Sequence, residues 1–274
     1  MVVFVLLIVG LSGVVSLTLH DLYPYPYDNV TTTDDQLLQP NDDGSSSQIL
    51  FSFPYFNNTQ TSAYVNTNGD ITFGRSLSTY TPSAFPLSNN FMMVAVFWTD
   101  IITTYVGEIW YKLSSSQDLM NRAGTDIQSG FSDQNDFSPS LVFIVTWSEV
   151  PYFGASGDDL LLRNTFQIVL TTDGTKSFVM FHYLKLDWAS NAMVGFNAGD
   201  GVNSYTINGS LSADVTNLVN RSNVGVPGKF LFRVDGDTIQ PADQNLTNNN
   251  NNTDTFCSFA REGRLPCLPN VHGF

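Results

Sequence analysis

The clearest alternation of side chains in this sequence lies at 177–183, where Phe178, Met180 and His182 alternate with Val179, Phe181 and Tyr183. Both sets are largely apolar, so this segment is expected to be a strand covered on two faces. Together with 165–170, which is also rich in β-branched and aromatic residues, it flanks Asp173-Gly174, a hairpin signal. A third apolar run, 192–196, follows at once. Upstream, 48–53 predicts a first strand. Residues 63–73 predict a hairpin turning on a tight two-residue Asn68-Gly69 loop, with Gly69 supplying a positive φ. The fully apolar run 91–98 predicts a central strand, 107–113 a half-buried neighbour, 141–147 another strand, and 229–234 the strand that closes the sheet. Helical spacing is found at 116–131, where Leu119, Ala123 and Ile127 recur every four residues around a weakening Gly124, and 214–219 predicts a short helix. The polar, turn-rich 22–47 reads as an irregular or edge segment. The fold class is therefore mainly β: an antiparallel β-sandwich with one or two short helices.

The strands run without a long break up to Val234, which favours one domain in the 274 residues. Residues 1–16 hold an almost unbroken apolar run ending at the small Ser16, and read as a secretory signal peptide. The alternative, a core helix, is disfavoured because the run has no polar face, and it is too short to span a bilayer. The domain is expected over 17–237. An Asn-rich, nearly apolar-free linker follows at 238–256, then a Cys-containing module or tail at 257–274. The two cysteines, Cys257 and Cys267, lie beyond that linker, so the domain has no disulfide and must rely on its core. They could pair with each other or begin a disulfide-rich module, and the second reading is preferred because the chain stops soon after Cys267. Asn-x-Ser/Thr sequons at Asn29, Asn57, Asn208, Asn220, Asn245 and Asn251 agree with a secretory route.

Charge and scarcity exclude several chemistries. A net charge of −14 argues against nucleic acid or an anionic membrane as partner, because both need a basic footprint. Only His20, His182 and His272 are present, and His182 inside a strand reads as a packed, hydrogen-bonded core residue. Glu108, Glu149, Asp100 and Asp158 could supply the carboxylate pair of a glycosidase, yet their spacing points to nothing specific, so no catalytic residue is assigned. No cofactor is expected. Structural calcium is the one metal worth weighing, through hard oxygen ligands at Asp42-Asp43-Gly44-Ser45 or Asp158-Asp159, against the plainer reading that Asp and Gly make turns. Of the four tryptophans, Trp98, Trp110 and Trp147 are expected in the core and Trp188 on the surface, where it could serve a lectin.

An ordered series of motifs adds to this. Tyr64-Val65-Asn66-Thr67-Asn68-Gly69, Phe97-Trp98-Thr99-Asp100, Asn164-Thr165-Phe166-Gln167, Val194-Gly195-Phe196-Asn197-Ala198-Gly199-Asp200-Gly201 and Pro227-Gly228 ahead of Phe232-Arg233-Val234 resemble the nidogen-like extracellular (NIDO) domain over about 22–236. Val96 and Pro26 stand where that family usually has Pro and Gly. The resemblance implies a non-enzymatic, secreted adhesion module of extracellular-matrix or cell-surface proteins, with Cys-rich modules as frequent companions. Its partners would be matrix or cell-surface proteins bound noncovalently, with the loops around Tyr152-Phe153 and Trp188 as the expected surface. A secreted carbohydrate-binding domain is the alternative.

Overall fold

A computed structural model describes residues 16–27, 31–87 and 90–242. The strands are Gln36–Leu38 (β1), Ile49–Tyr55 (β2), Asn58–Asn66 (β3), Asp70–Phe73 (β4), Met93–Trp98 (β5), Glu108–Ser114 (β6), Leu141–Val150 (β7), Asn164–Thr172 (β8), Ser177–Leu186 (β9), Met193–Asn197 (β10), Ser204–Thr206 (β11), Lys229–Arg233 (β12) and Gln240–Pro241 (β13). One α-helix, Gln117–Gly130 (α1), and three 3₁₀ turns complete the described elements. The strands form two antiparallel sheets, ordered β1-β6-β7-β8-β9-β12-β13 and β11-β10-β5-β4-β3-β2. The sandwich expected from alternation is thus present.

Three apolar layers explain why so many strands read as unbroken hydrophobic runs. Between the sheets lies a core of rings, with Phe53 stacked on Phe73 at 5.8 Å and Phe181 on Phe196 at 5.3 Å. Burying each such ring contributes roughly 1.5–3 kcal/mol. The outer face of the seven-stranded sheet carries Val142, Ile144, Val169, Phe178 and Met180 and is covered by Ala123, Ile127, Phe131 and Phe137. The outer face of the six-stranded sheet is covered by Leu77 and Leu87, which meet Met93, Ala95, Trp98 and Met193. β9 therefore has two covered faces, as its alternation implied. Gly124 does more than weaken α1: a Cβ there would lie 3.2 Å from Pro139 Cδ, so the glycine lets the following loop pack closely.

Several details depart from the sequence reading. The β3–β4 hairpin pairs Asn66 with Asp70, which leaves a three-residue loop, Thr67-Asn68-Gly69, with φ +84° at Gly69. Residues 91–98 and 107–113 lie in different sheets, because the chain crosses the sandwich between β5 and β6. β12 is followed by β13, which lies past Asp237 within the stretch read as linker. Trp188 is buried at 6% exposure, whereas Trp110 is half-buried and donates from Nε1 to the Glu108 carboxylate at 2.8 Å. The edge strand β2 has an irregular register between Leu50 and Phe53 and contains Pro54, both of which discourage edge-to-edge pairing.

The segment read as irregular includes a key anchor. Tyr23 is fully buried against the outer face of the seven-stranded sheet. Its backbone N–H donates to Gln167 Oε1 at 2.7 Å, its carbonyl accepts from Gln167 Nε2 at 2.9 Å, and its hydroxyl donates to Asp126 at 2.8 Å. Arg122 lies over the ring at 4.0 Å and donates to the carbonyls of Asp21 and Leu22. Lys229 Nζ closes the network on Asp126 at 2.7 Å. Beneath the Tyr23 ring, at 5.8 Å, sits His182. It is buried as expected, but both ring nitrogens lack a hydrogen-bond partner, contrary to the bonded histidine anticipated. Burial, followed by the nearby Lys229 charge, depresses it to about 3.

Two outcomes follow from this network. Tyr23→Ala should lower the unfolding free energy by about 3–5 kcal/mol, and Tyr23→Phe by about 1 kcal/mol, in urea titrations. For His182 the folded value lies below the unfolded one, near 6.5, so the unfolded chain takes up the proton first and stability is lost as pH falls from 6.5 toward 3. Between pH 7 and 5, wild type should lose about 2 kcal/mol relative to His182→Leu, measured by the same titrations.

Candidate functional site

One end of the sandwich is built around the Thr67-Asn68-Gly69 loop. A Cβ at Gly69 would meet the Phe97 carbonyl at 2.1 Å, so only glycine lets this loop lie across β5. The loop is held from below by Trp147 Nε1, which donates to the Thr67 carbonyl at 3.1 Å. Asn68 then joins three segments. Its Nδ2 donates to Asp43 Oδ1 at 2.8 Å, its Oδ1 accepts from the Ile101 backbone at 2.9 Å, and its carbonyl accepts from the Thr99 backbone at 3.0 Å. The result brings carboxylate oxygens of Asp42, Asp43 and Asp100 within 4.8 Å of one another. These are hard ligands of the kind calcium prefers. Burial first, then the charges of Asp42 and Asp43, push Asp100 up to about 6, and burial with the Asp43 charge also raises Asp42. Asp70, at the end of the same loop, is fully buried, accepts from Asn66 at 2.6 Å and is pushed up to about 7 by burial.

The neighbouring loop begins where β7 breaks register between Trp147 and Val150, with Glu149 at φ +51°. Tyr152 bridges to Ile101, and the Phe153 backbone donates to the Asp100 carbonyl at 3.0 Å. Trp188 supports this loop from within: its Nε1 donates to the Val150 carbonyl at 3.1 Å, and its ring meets Tyr152 at 5.7 Å and Phe97 at 5.5 Å. It is a strut, not the exposed platform expected of it. The loops leave Tyr105 at 81% exposure, Phe153 at 51% and Leu161 at 74%, with Leu162 also exposed. The same loops and the adjoining strand ends carry the exposed carboxylates Glu108, Glu149, Asp158, Asp159 and Asp187, against the half-buried Arg163 and Lys185, and Lys185 is already paired with Glu149 and Asp187.

Of the residues singled out in the sequence, Asp42, Asp43 and Asp100 come together, while Glu108, Glu149 and Asp158 stand exposed on β6, on the β7 irregularity and on a 3₁₀ turn. Phe153 is on the surface as expected. Tyr105 and Leu161 were missed, since no local pattern marks an exposed apolar residue in a loop. Asn57, Asn208 and Asn220 are exposed. Asn29, Asn245, Asn251, Cys257, Cys267 and His272 lie outside the described residues.

A family model described as the nidogen-like domain matches residues 61–236, from β3 through β12. The chain belongs to the nidogen-like family. It is 39% identical over 222 residues to alpha-tectorin of Gallus gallus, covering 75% of this chain and 10% of that protein. It is 34% identical over 187 residues to nidogen of Drosophila melanogaster, covering 62% and 13%. Nidogen-1 of Mus musculus is 31% identical over 255 residues, covering 84% and 20%. This nidogen-like chain therefore spans a tenth to a fifth of these relatives' lengths. No solved structure matches it significantly. Asn68, Asp100 and the loop at 149–163 fall inside the family match, whereas Asp42 and Asp43 precede it. Among the described residues no helix is long and apolar enough to cross a membrane.

Because the Asp100 value is raised above the ordinary carboxylate range, the folded state binds the proton first as pH falls, so the charged cluster destabilises the fold most above pH 6. Asp100→Asn should raise Tm by about 1–3 °C at pH 8, after allowance for solvent screening, and the gain should shrink at pH 5. Differential scanning calorimetry at the two pH values checks this.

Proposed function

We propose that this nidogen-like domain is a secreted, non-enzymatic adhesion module that binds extracellular-matrix or cell-surface proteins through the loop end of its sandwich. The observation that carries the reading is that Tyr105, Phe153, Leu161 and Leu162 are exposed apolar side chains on loops that also carry carboxylates and are held by Asn68 and Trp188. Exposed apolar residues grouped on a rigid scaffold and rimmed by polar groups mark protein interaction surfaces. Families that place loops on a stable sandwich vary the loops and keep the scaffold. The acidic rim suits a partner with a basic surface, whose association would be steered by charge. Membership of a family that includes nidogens and tectorins supports the matrix setting.

The test is binding of the secreted chain to immobilised matrix proteins and glycans, with calcium and with chelator. Saturable binding to a matrix protein is expected. The double variant Phe153→Ala, Leu161→Ala should weaken it at least about tenfold, and raising salt from 0.05 to 0.5 M should weaken it further. Unchanged binding by the double variant would remove the loop end from consideration, and binding to glycans alone would make the domain a lectin.

A further inference from the structure

A second surface lies where both sheets run short. β11 has three residues and β13 has two, and between them opens a cleft of about 490 Å³. Its apolar wall is Tyr205, Ile207, Phe230 and Phe232, with the Tyr205 and Phe232 rings 5.7 Å apart. Phe230, Phe232 and Ile207 are each under a tenth exposed, while Tyr205 is half-buried at the mouth. Arg221 and Asn208 also line the cleft. Arg221 pairs its terminal nitrogens with Asp214, but its Nε is buried without a hydrogen-bond partner.

Asn208 is also the acceptor of the sequon Asn208-Gly209-Ser210, and it is exposed. The sequon is firmly placed. Gly209, at φ +95°, lies so close to Arg221 that a Cβ would come within 2.6 Å of its guanidinium. Ser210 Oγ shares its one proton between the Val194 and Ile207 carbonyls, at 2.9 and 2.6 Å, and accepts from the Val194 backbone. An acceptor asparagine thus stands on the rim of an aromatic cleft, three residues after the ring at its mouth.

We propose that Asn208 carries an N-linked glycan whose first sugar residues lie in this cleft, with their C–H faces against Tyr205 and their hydroxyls toward the polar residues of the rim. A sugar suits such a lining because one face of its ring is apolar while its edge is hydrogen-bonding, and the volume falls in the ordinary range for small-molecule sites, about 300–1000 Å³. Covalent attachment removes most of the entropy of association, so even a weak contact is kept occupied. The glycan is then part of the packed structure and closes a gap that the two short edge strands leave. This inference needs passage through a glycosylating compartment and is independent of the adhesion reading.

The test uses the full chain secreted from a glycosylating eukaryotic cell, in wild-type, Asn208→Gln, Tyr205→Leu and doubly substituted forms. Tyr205→Leu keeps apolar volume in the wall while removing the ring. Peptide mass spectrometry should show Asn208 occupied. Asn208→Gln should lower Tm by roughly 2–4 °C, and in the Tyr205→Leu background the same change should lower it by less than half as much. Trimming the glycan of folded wild type to one sugar with an endoglycosidase should keep most of the stabilisation. An unoccupied Asn208, an Asn208→Gln variant as stable as wild type, or shifts that add fully would each overturn the proposal. So would finding the cleft filled by residues 243–274 or by a second copy of the chain in a crystal of the glycosylated protein.

Discussion

The β8–β9 hairpin must be covered on both sides. Its two strands place Phe166, Ile168, Leu170, Val179, Phe181 and Tyr183 on the inner face and Val169, Phe178 and Met180 on the outer one. The inner set calls for the second sheet. The outer set calls for α1 and the Tyr23 segment, which would otherwise have no apolar surface to dock on. With both cysteines beyond the sandwich, no covalent cross-link shares the task, so the layering depends on these rings and branched side chains. The hairpin is central in a seven-stranded sheet, and any change in its register would turn both faces at once.

The candidate binding end depends on the same core at one remove. Trp147 and Trp188 are fixed by stacking on Phe166 and by contact with Phe97, and each spends its single indole N–H on a loop carbonyl, Thr67 or Val150. Those two bonds set the height of the loops that carry Asn68 and Phe153. Burial, and then the neighbouring charges of Asp42 and Asp43, make Asp100 hold its proton more tightly. A rigid base with a charged, partly apolar rim is what a module needs if it is to meet partners without rearranging.

Strand identity was legible wherever period two or a full apolar run coincided with turn chemistry, as at β5, β7, β8, β9 and β12. Sheet membership was not, because the crossing from β5 to β6 leaves no local mark in the intervening residues. The Asn68-Gly69 pair gave the turn and the positive φ correctly but not the loop length, which depends on Asn66 pairing with Asp70. Trp188 looked exposed because its sequence neighbours Lys185, Asp187 and Ser190 are polar. Its burial is decided by Phe97 and Tyr152, both distant in sequence. Trp110 shows the reverse, an aromatic that shares the outward face of β6 with Glu108 and Lys112 and is only half-buried there. Of the candidate site, Asp42, Asp43, Asp100 and Phe153 could be named in advance, Asp100 in a different role. Asn68 was read only as a turn residue, since a side chain that joins three segments has no signature in any one of them.

The seating of Tyr23 has a consequence for how the fold is completed. Its two backbone bonds go to Gln167, 144 residues further on, and its hydroxyl goes to Asp126, which is itself held by Lys229. The seat of the ring is therefore complete only when β8, α1 and β12 are all in place. A residue near the start of the sandwich thus depends on partners far along the chain, and the clamp that it forms holds only when all of them are seated.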